Sequence, residues 1–264
     1  MHFVKKQKKR YGKYVFRWLV AALLVIGLII GGQRGLHIYL TLSGKIDPDV
    51  PDPEQYPVRG VDVSYYQGTI DWQVLAQQGV DFAFIKATEG SDHNDTQFVQ
   101  NWEDAKAVQI YVGAYHFFSF ESSGAEQAAN FIAAVPKTEN TLPPVVDFEL
   151  YGDGQTLPST TETRAILTEL LDQLEAYYGV KPIIYTTAYA HFKYLLGHYS
   201  GYKIWMSNYK YQPYMNWTFW QYSDQGQLDG YDGDQIHIDL NVYHDDYDAF
   251  LKEFDLKPFA ESGT

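Results

Sequence analysis

The run Pro144-Val-Val-Asp-Phe-Glu149 ends a short β-branched stretch with two carboxylates spaced two positions apart. Alternate side chains of an extended strand share a face, so Asp147 and Glu149 are expected to point the same way. Burying two acids on one face is costly unless a proton or a basic partner compensates, and bases are scarce. After residue 34 the chain has twelve Lys and Arg against thirty-three Asp and Glu, a formal charge of −21. Like charges held together raise one pKa, which leaves a proton donor beside a carboxylate. Asp62, in Gly60-Val-Asp-Val-Ser64, and Asp239, in Gln235-Ile-His-Ile-Asp239, end two further strand-like runs.

Cleavage of a glycosidic bond uses such a set directly. One carboxylic acid protonates the leaving oxygen while a carboxylate attacks or stabilises the oxocarbenium-like carbon. Flat rings at or near strand ends suit the faces of sugars, and Tyr65, Tyr66, Tyr115, Tyr185, Trp205, Trp220 and Tyr222 fall there, where core packing is the competing role. Gln67, Gln221 and Asn241 are polar candidates for sugar contacts, and Lys86, Thr88 and Glu89 for support of the acids. The histidines show no His-x-x-x-His spacing and no compact cluster with carboxylates, so neither a metal nor a cofactor is expected. Asp92-His-Asn-Asp95 and Asp245-Asp-Tyr-Asp248 read as solvated acidic turns rather than calcium loops. The chain has no cysteine, which removes thiolate nucleophiles, disulfides and Cys-ligated zinc.

The elements that must position these residues alternate in type. Strand-length runs at 60–64, 82–86, 111–117, 145–149 and 183–186 are separated by helical patterns at 72–78, 97–108, 125–134 and 160–178, the βαβ rhythm of a parallel sheet. After a last helical stretch at 188–196, three runs at 203–207, 218–222 and 235–239 follow with little room for helices. The expected fold is α/β, an irregular (β/α) barrel of about five β/α units plus three further strands. In such barrels the working residues sit at the C-terminal ends of the strands.

Ahead of this lies a different composition. Residues 1–17 form a basic leader, and residues 18–33 are free of charge and mostly apolar. With Tyr14, Val15 and Phe16 they approach the ~20 residues that span a bilayer, and Trp18 suits an interfacial anchor. No small-x-small cleavage site is evident, so a retained transmembrane signal-anchor is expected over a secreted, cleaved form. The basic flank orients the leader to the cytoplasm and everything after it to the exterior. Residues 34–58 include four prolines between 43 and 58 and read as an extracellular linker, with the catalytic domain at 59–264. The strongly acidic remainder excludes nucleic acid as a partner.

The motifs Arg59-Gly-Val-Asp-Val-Ser-Tyr-Tyr-Gln-Gly68, Phe84-Ile-Lys-Ala-Thr-Glu-Gly90, Gly113-Ala-Tyr-His-Phe-Phe118, Asp147-Phe-Glu149 and Phe219-Trp-Gln-Tyr-Ser223, in this order, resemble glycoside hydrolase family 25. The resemblance covers about 59–243. It implies a lysozyme of the N-acetylmuramidase type that cleaves the β-1,4 bond after N-acetylmuramic acid in peptidoglycan glycan strands; a monomeric catalytic domain is expected. It further implies Glu149 as general acid, Asp147 as an assisting carboxylate that orients the substrate acetamido group, and Asp62 and Asp239 as members of the acidic cluster. Tyr66 stands where the family often has Trp, Phe148 where a smaller residue is common, and 231–235 form an unusually acidic loop. A catalytically silent wall-binding module and a hydrolase of another glycan such as chitin are the competing expectations.

Overall fold

The computed structural model describes residues 2–150 and 159–259, with side chains from residue 20 onward apart from 21 and 22. The chain divides into two units, 1–48 and 49–264.

The first unit is one helix, α1 (His2–Leu42). Its stretch Leu23–Leu42, 20 residues of mean hydropathy 1.5, is long and apolar enough to cross a membrane, a property shared with signal sequences. The seven basic side chains of the leader, Lys5 to Arg17, lie outside the described side chains. Residues 34–42, read from sequence as the start of a linker, continue α1. The prolines that favour an extended backbone begin only at Pro48, and α1 ends ahead of them at Leu42, followed by left-handed Gly44.

The second unit runs β1 (Arg59–Val63), α2 (Trp72–Gln77), β2 (Phe82–Glu89), β3 (His93–Asn94), α3 (Phe98–Ala107), β4 (Tyr111–Phe117), α4 (Gly124–Ala134), β5 (Val145–Phe148), α5 (Thr160–Tyr178), β6 (Ile183–Thr187), α6 (Ala188–Ala190), which continues as a π-helical turn over His191–Leu195, β7 (Lys203–Ser207), β8 (Phe219–Gly226), β9 (Ile238–Tyr243) and α7 (Tyr247–Glu253). Strands pair in the order β1-β9-β8-β7-β6-β5-β4-β2-β3, and a further β1–β2 pairing closes eight of them into a barrel, with β3 appended to β2. Barrel neighbours from β1 through β8 run parallel, β9 is antiparallel to both β8 and β1, and the appended β3 is antiparallel to β2. The helices begin where local chemistry predicts. Ser159 and Ser123 cap α5 and α4 in reciprocal boxes with Glu162 and Glu126, and α5 ends on left-handed Gly179.

Strand alternation sorts the apolar residues into two cores. Val61, Ala83, Ile85, Val112, Val146, Ile184 and Met206 face outward under the helices, against Leu167, Leu170, Leu171 and Leu174 of α5 and Phe131 of α4. Inside the barrel, Phe82, Phe84, Tyr111, Val145, Ile183, Trp205, Phe219 and Tyr243 pack together with Phe250 of α7. Two inward positions must be glycine to admit these rings: a Cβ on Gly60 would lie 2.4 Å from the Phe82 ring, and one on Gly113 2.7 Å from that of Phe84.

The barrel with its helices matches the expected fold, with differences at three places. The last strand starts at Ile238, three residues later than its apolar pattern suggested, and continues to Tyr243. Helix α7, capped by Asp246, follows it and was not anticipated. Residues 49–58 are bound to the barrel unit rather than extended from it. The Asp49 carboxylate accepts from the backbone N–H of Gln212 at 2.8 Å, Tyr56 packs on Trp217 at 5.5 Å between centroids, and Val58 is fully buried. The prolines of this segment masked its two apolar anchors.

Candidate active site

Asp62 is the fourth residue of β1, and Asp147 lies on β5 one position before its last, with Glu149 just beyond the strand end. Asp239 is the second residue of β9, not the last of a strand as the sequence suggested. Because β9 is antiparallel, its start lies at the same barrel mouth as the C-terminal ends of its neighbours, and its register sets Asp239 directly opposite Asp62. The four carboxylates line one cleft of about 240 Å³ with Lys86, Tyr115 and Tyr185.

Hydrogen bonds distribute the charge. Asp62 is held from two sides: Asn241 Nδ2 donates to its Oδ2 at 2.7 Å, and Gln221 Nε2 donates to Oδ1 and Oδ2 at 3.1 and 2.9 Å. The same Gln221 nitrogen reaches Asp239 Oδ2 at 3.1 Å. Burial raises Asp62 to about 6, against the lowering effect of its hydrogen bonds to Asn241, Gln221 and Asp239. Asp239 is driven further, to about 9, by burial, the charge of Asp62 and their shared hydrogen bond. Between these values the pair carries one proton and one negative charge.

Burial, Glu149 and Asp62 push Asp147 well above the usual carboxylate range, and its Oδ1 is buried without a hydrogen-bond partner. Burial and the charge of Asp62 also raise Glu149, while Lys86 opposes the shift. Lys86 donates to Glu89 at 2.8 Å and lies over the Phe117 ring at 4.9 Å, so it is a fixed cation at the edge of the acids. Burial and the surrounding carboxylates raise Tyr115 and Tyr185 and keep both as neutral phenols. A buried proton donor and an unpartnered carboxylate oxygen therefore face one space.

The other sequence candidates separate into three groups. Tyr66, Tyr115, Tyr185 and Trp205 line the cleft. Tyr66 is 45% exposed and packs against Tyr65 in a tilted pair at 4.1 Å between centroids, an aromatic rim. Trp205, only 2% exposed, stacks on Phe84 at 4.4 Å and forms the floor. Gln221 and Asn241 hold the acids, and Gln67 is a structural residue at the cleft wall. The Gln67 side chain accepts from the Ser64 amide at 2.9 Å and donates to Gln235 at 2.8 Å, tying the turn after β1 to the loop before β9.

Trp220 stands outside the cleft. Since Gln221 points inward, strand alternation turns Trp220 outward, where its Nε1 donates to the Asn208 carbonyl at 2.8 Å and its ring packs near Trp217 and Tyr222. Tyr209 and Gln235, not singled out from sequence, line the cleft from the loops after β7 and before β9. No periodicity marks loop residues, and only the three-dimensional neighbourhood reveals them.

Among the described residues no group of three or more His, Asp and Glu is arranged to hold a metal. In the two turns read as solvated and acidic, Asp95 is buried and accepts from the Tyr65 and Gln97 amides, and Asp246 caps α7.

An eight-stranded barrel with a carboxylate cluster at the C-terminal strand ends defines a barrel hydrolase, and comparison with known proteins specifies which. Residues 61–231 match the model of glycosyl hydrolases family 25. The structure superposes on a family 25 glycosyl hydrolase from Bacillus anthracis with a TM-score of 0.73 and 41% identity, covering 78% of this chain and 97% of that one. The uncharacterized protein YegX of Escherichia coli (strain K12) is 37% identical over 202 residues, 73% of this chain and 71% of its own. Lysozyme M1 of Streptomyces globisporus is 32% identical over 203 residues, 71% and 68% of the two chains. The chain belongs to glycosyl hydrolase family 25, and it is a glycoside hydrolase of the lysozyme class.

Proposed function

We propose that this enzyme hydrolyses peptidoglycan at the β-1,4 bond between N-acetylmuramic acid and N-acetylglucosamine, with Glu149 as proton donor and Asp147 as the assisting carboxylate. The observation that carries the reading is the pairing of a Glu149 raised by burial and by Asp62 with the unpartnered, buried Oδ1 of Asp147 in one cleft. Glu149 gives its proton to the glycosidic oxygen as the bond to the anomeric carbon breaks and its electron pair passes to that oxygen. The acetamido N–H of the sugar is a donor that would satisfy Asp147 Oδ1, which orients the acetamido oxygen toward the anomeric carbon. Water then forms the new bond to that carbon and returns its proton to Glu149. Family membership and lysozyme relatives support peptidoglycan as the substrate.

Helix α1 and the basic leader support a membrane-tethered enzyme, N-terminus inside and barrel outside, that works on the wall as a single chain. All four carboxylates of the cleft come from one chain, which is consistent with a monomer.

Mass spectrometry of digests of purified peptidoglycan tests the assignment. Fragments ending in reducing N-acetylmuramic acid are expected. Fragments ending in reducing N-acetylglucosamine would contradict the bond assigned, and binding without any new reducing end would favour a silent wall-binding module.

A further inference from the structure

Two amides at the barrel mouth do more than fill space. Trp205 Nε1 donates to Asn241 Oδ1 at 2.8 Å. An indole nitrogen can only donate, so this contact fixes the rotation of the Asn241 amide and forces its Nδ2 toward Asp62. On the other side, Tyr185 and Tyr209 hydroxyls both donate to Gln221 Oε1 at 2.8 Å, which turns Gln221 Nε2 toward the carboxylates. The two locked amides converge on Asp62, and only one of them reaches Asp239. Asn241 and Gln221 are 1% and 2% exposed, so water does not compete for these bonds.

We propose that Asn241 and Gln221 are positioning residues that fix the single negative charge of the Asp62–Asp239 pair on Asp62. An acceptor surrounded by N–H donors favours the ionised form, and the excess of donors lies on Asp62. The charge placed there holds the proton on Glu149 and stabilises the positive charge that develops on the sugar ring. It rests on the reading of Glu149 as proton donor given above. The charged and titratable groups around Asp62 are Asp239 of β9, Asp147 and Glu149 at β5, Lys86 of β2, Tyr115 of β4, Tyr185 of β6 and Tyr209 after β7. Asp224 of β8 acts on Asp239. Of these only Lys86 is a cation, so the amides, together with the charge of Asp224 beside Asp239, favour charge on Asp62 over charge on its partner.

The test has two arms. In the first, kcat/KM on solubilised peptidoglycan is followed against pH for Asn241→Leu, Gln221→Met and Trp205→Phe. The clamp predicts that the acid limb moves up by about one pH unit, a tenfold change in proton affinity, with the Trp205→Phe shift smaller because Asn241 keeps its amide. A uniform loss of activity with an unmoved acid limb would mean a merely structural role. In the second arm, carbon-13 NMR titrates the Asp62 and Asp239 carboxyls in the full chain without substrate. Asp62 should ionise first in the native protein, and the order should narrow or invert in Trp205→Phe, which retains both amides. Asp239 ionising first would overturn the proposal whatever the role of Glu149. A correct NMR order together with an active Glu149→Gln enzyme would instead sink the catalytic reading and leave the clamp standing.

Discussion

The floor and the mouth of the barrel are built by the same strands under opposite rules. On β2, Phe82 and Phe84 give way to Lys86; on β8, Phe219 gives way to Gln221; on antiparallel β9, Tyr243 is preceded by Asn241 and Asp239. In the floor, Phe82 meets Phe219 at 5.0 Å and Phe250 at 5.9 Å between centroids, and burial there removes apolar surface from water. In the mouth, two to four residues further on, burial raises carboxylates above their usual range. The floor supplies the stability that the mouth consumes in holding protons where chemistry uses them, so substitutions in the two regions should act on different observables.

A break in the floor should show the contrast most strongly. Phe219→Ala, in the centre of the ring cluster, is expected to lower unfolding free energy by about 3 to 5 kcal/mol in urea titrations, with no shift in the pH dependence of the remaining activity. A smaller loss of about 1 to 3 kcal/mol is expected for Gly60→Ala, whose added Cβ must displace the Phe82 ring from 2.4 Å. Equal stability to the native protein would show that the floor yields more easily than its packing indicates.

At the mouth the expected stability effect depends on pH and is reversed in sign. The folded state raises Asp239 from the ordinary carboxylate range to about 9, so between about pH 4 and pH 9 the native state binds more protons there than the unfolded chain. That contribution to stability is fully present below the unfolded pKa and is lost as pH rises through the folded one. Asp239→Asn removes it, so the variant should gain stability relative to the native protein as pH is raised, read from urea unfolding at successive pH values. Parallel pH dependences would show that Asp239 is not held in its protonated form.

The fold was legible because its strands carry short β-branched and aromatic runs and its helices carry their caps, as at Ser159 with Glu162. The acids were legible for a simpler reason, since costly residues at strand ends stand out against apolar neighbours. What strand alternation could not tell was direction. The antiparallel course of β9 put Asp239 at its start, and the inward turn of Gln221 sent Trp220 out of the cleft. Roles held by pairs far apart in sequence, such as Trp205 with Asn241, were invisible for the same reason. Asn241 and Gln221 read from sequence as sugar ligands, but in the fold their amides face carboxylates.

The most direct test of the mouth compares Glu149→Gln with the native enzyme on two substrates: peptidoglycan, whose sugar leaving group needs a proton, and an N-acetylmuramyl glycoside carrying a dinitrophenyl leaving group, which departs without one. Loss of a general acid costs about 100- to 10,000-fold where protonation is required, so the variant should fall by that factor on peptidoglycan while staying close to native on the activated glycoside. An equal loss on both substrates, or none on peptidoglycan, would contradict Glu149 as the proton donor.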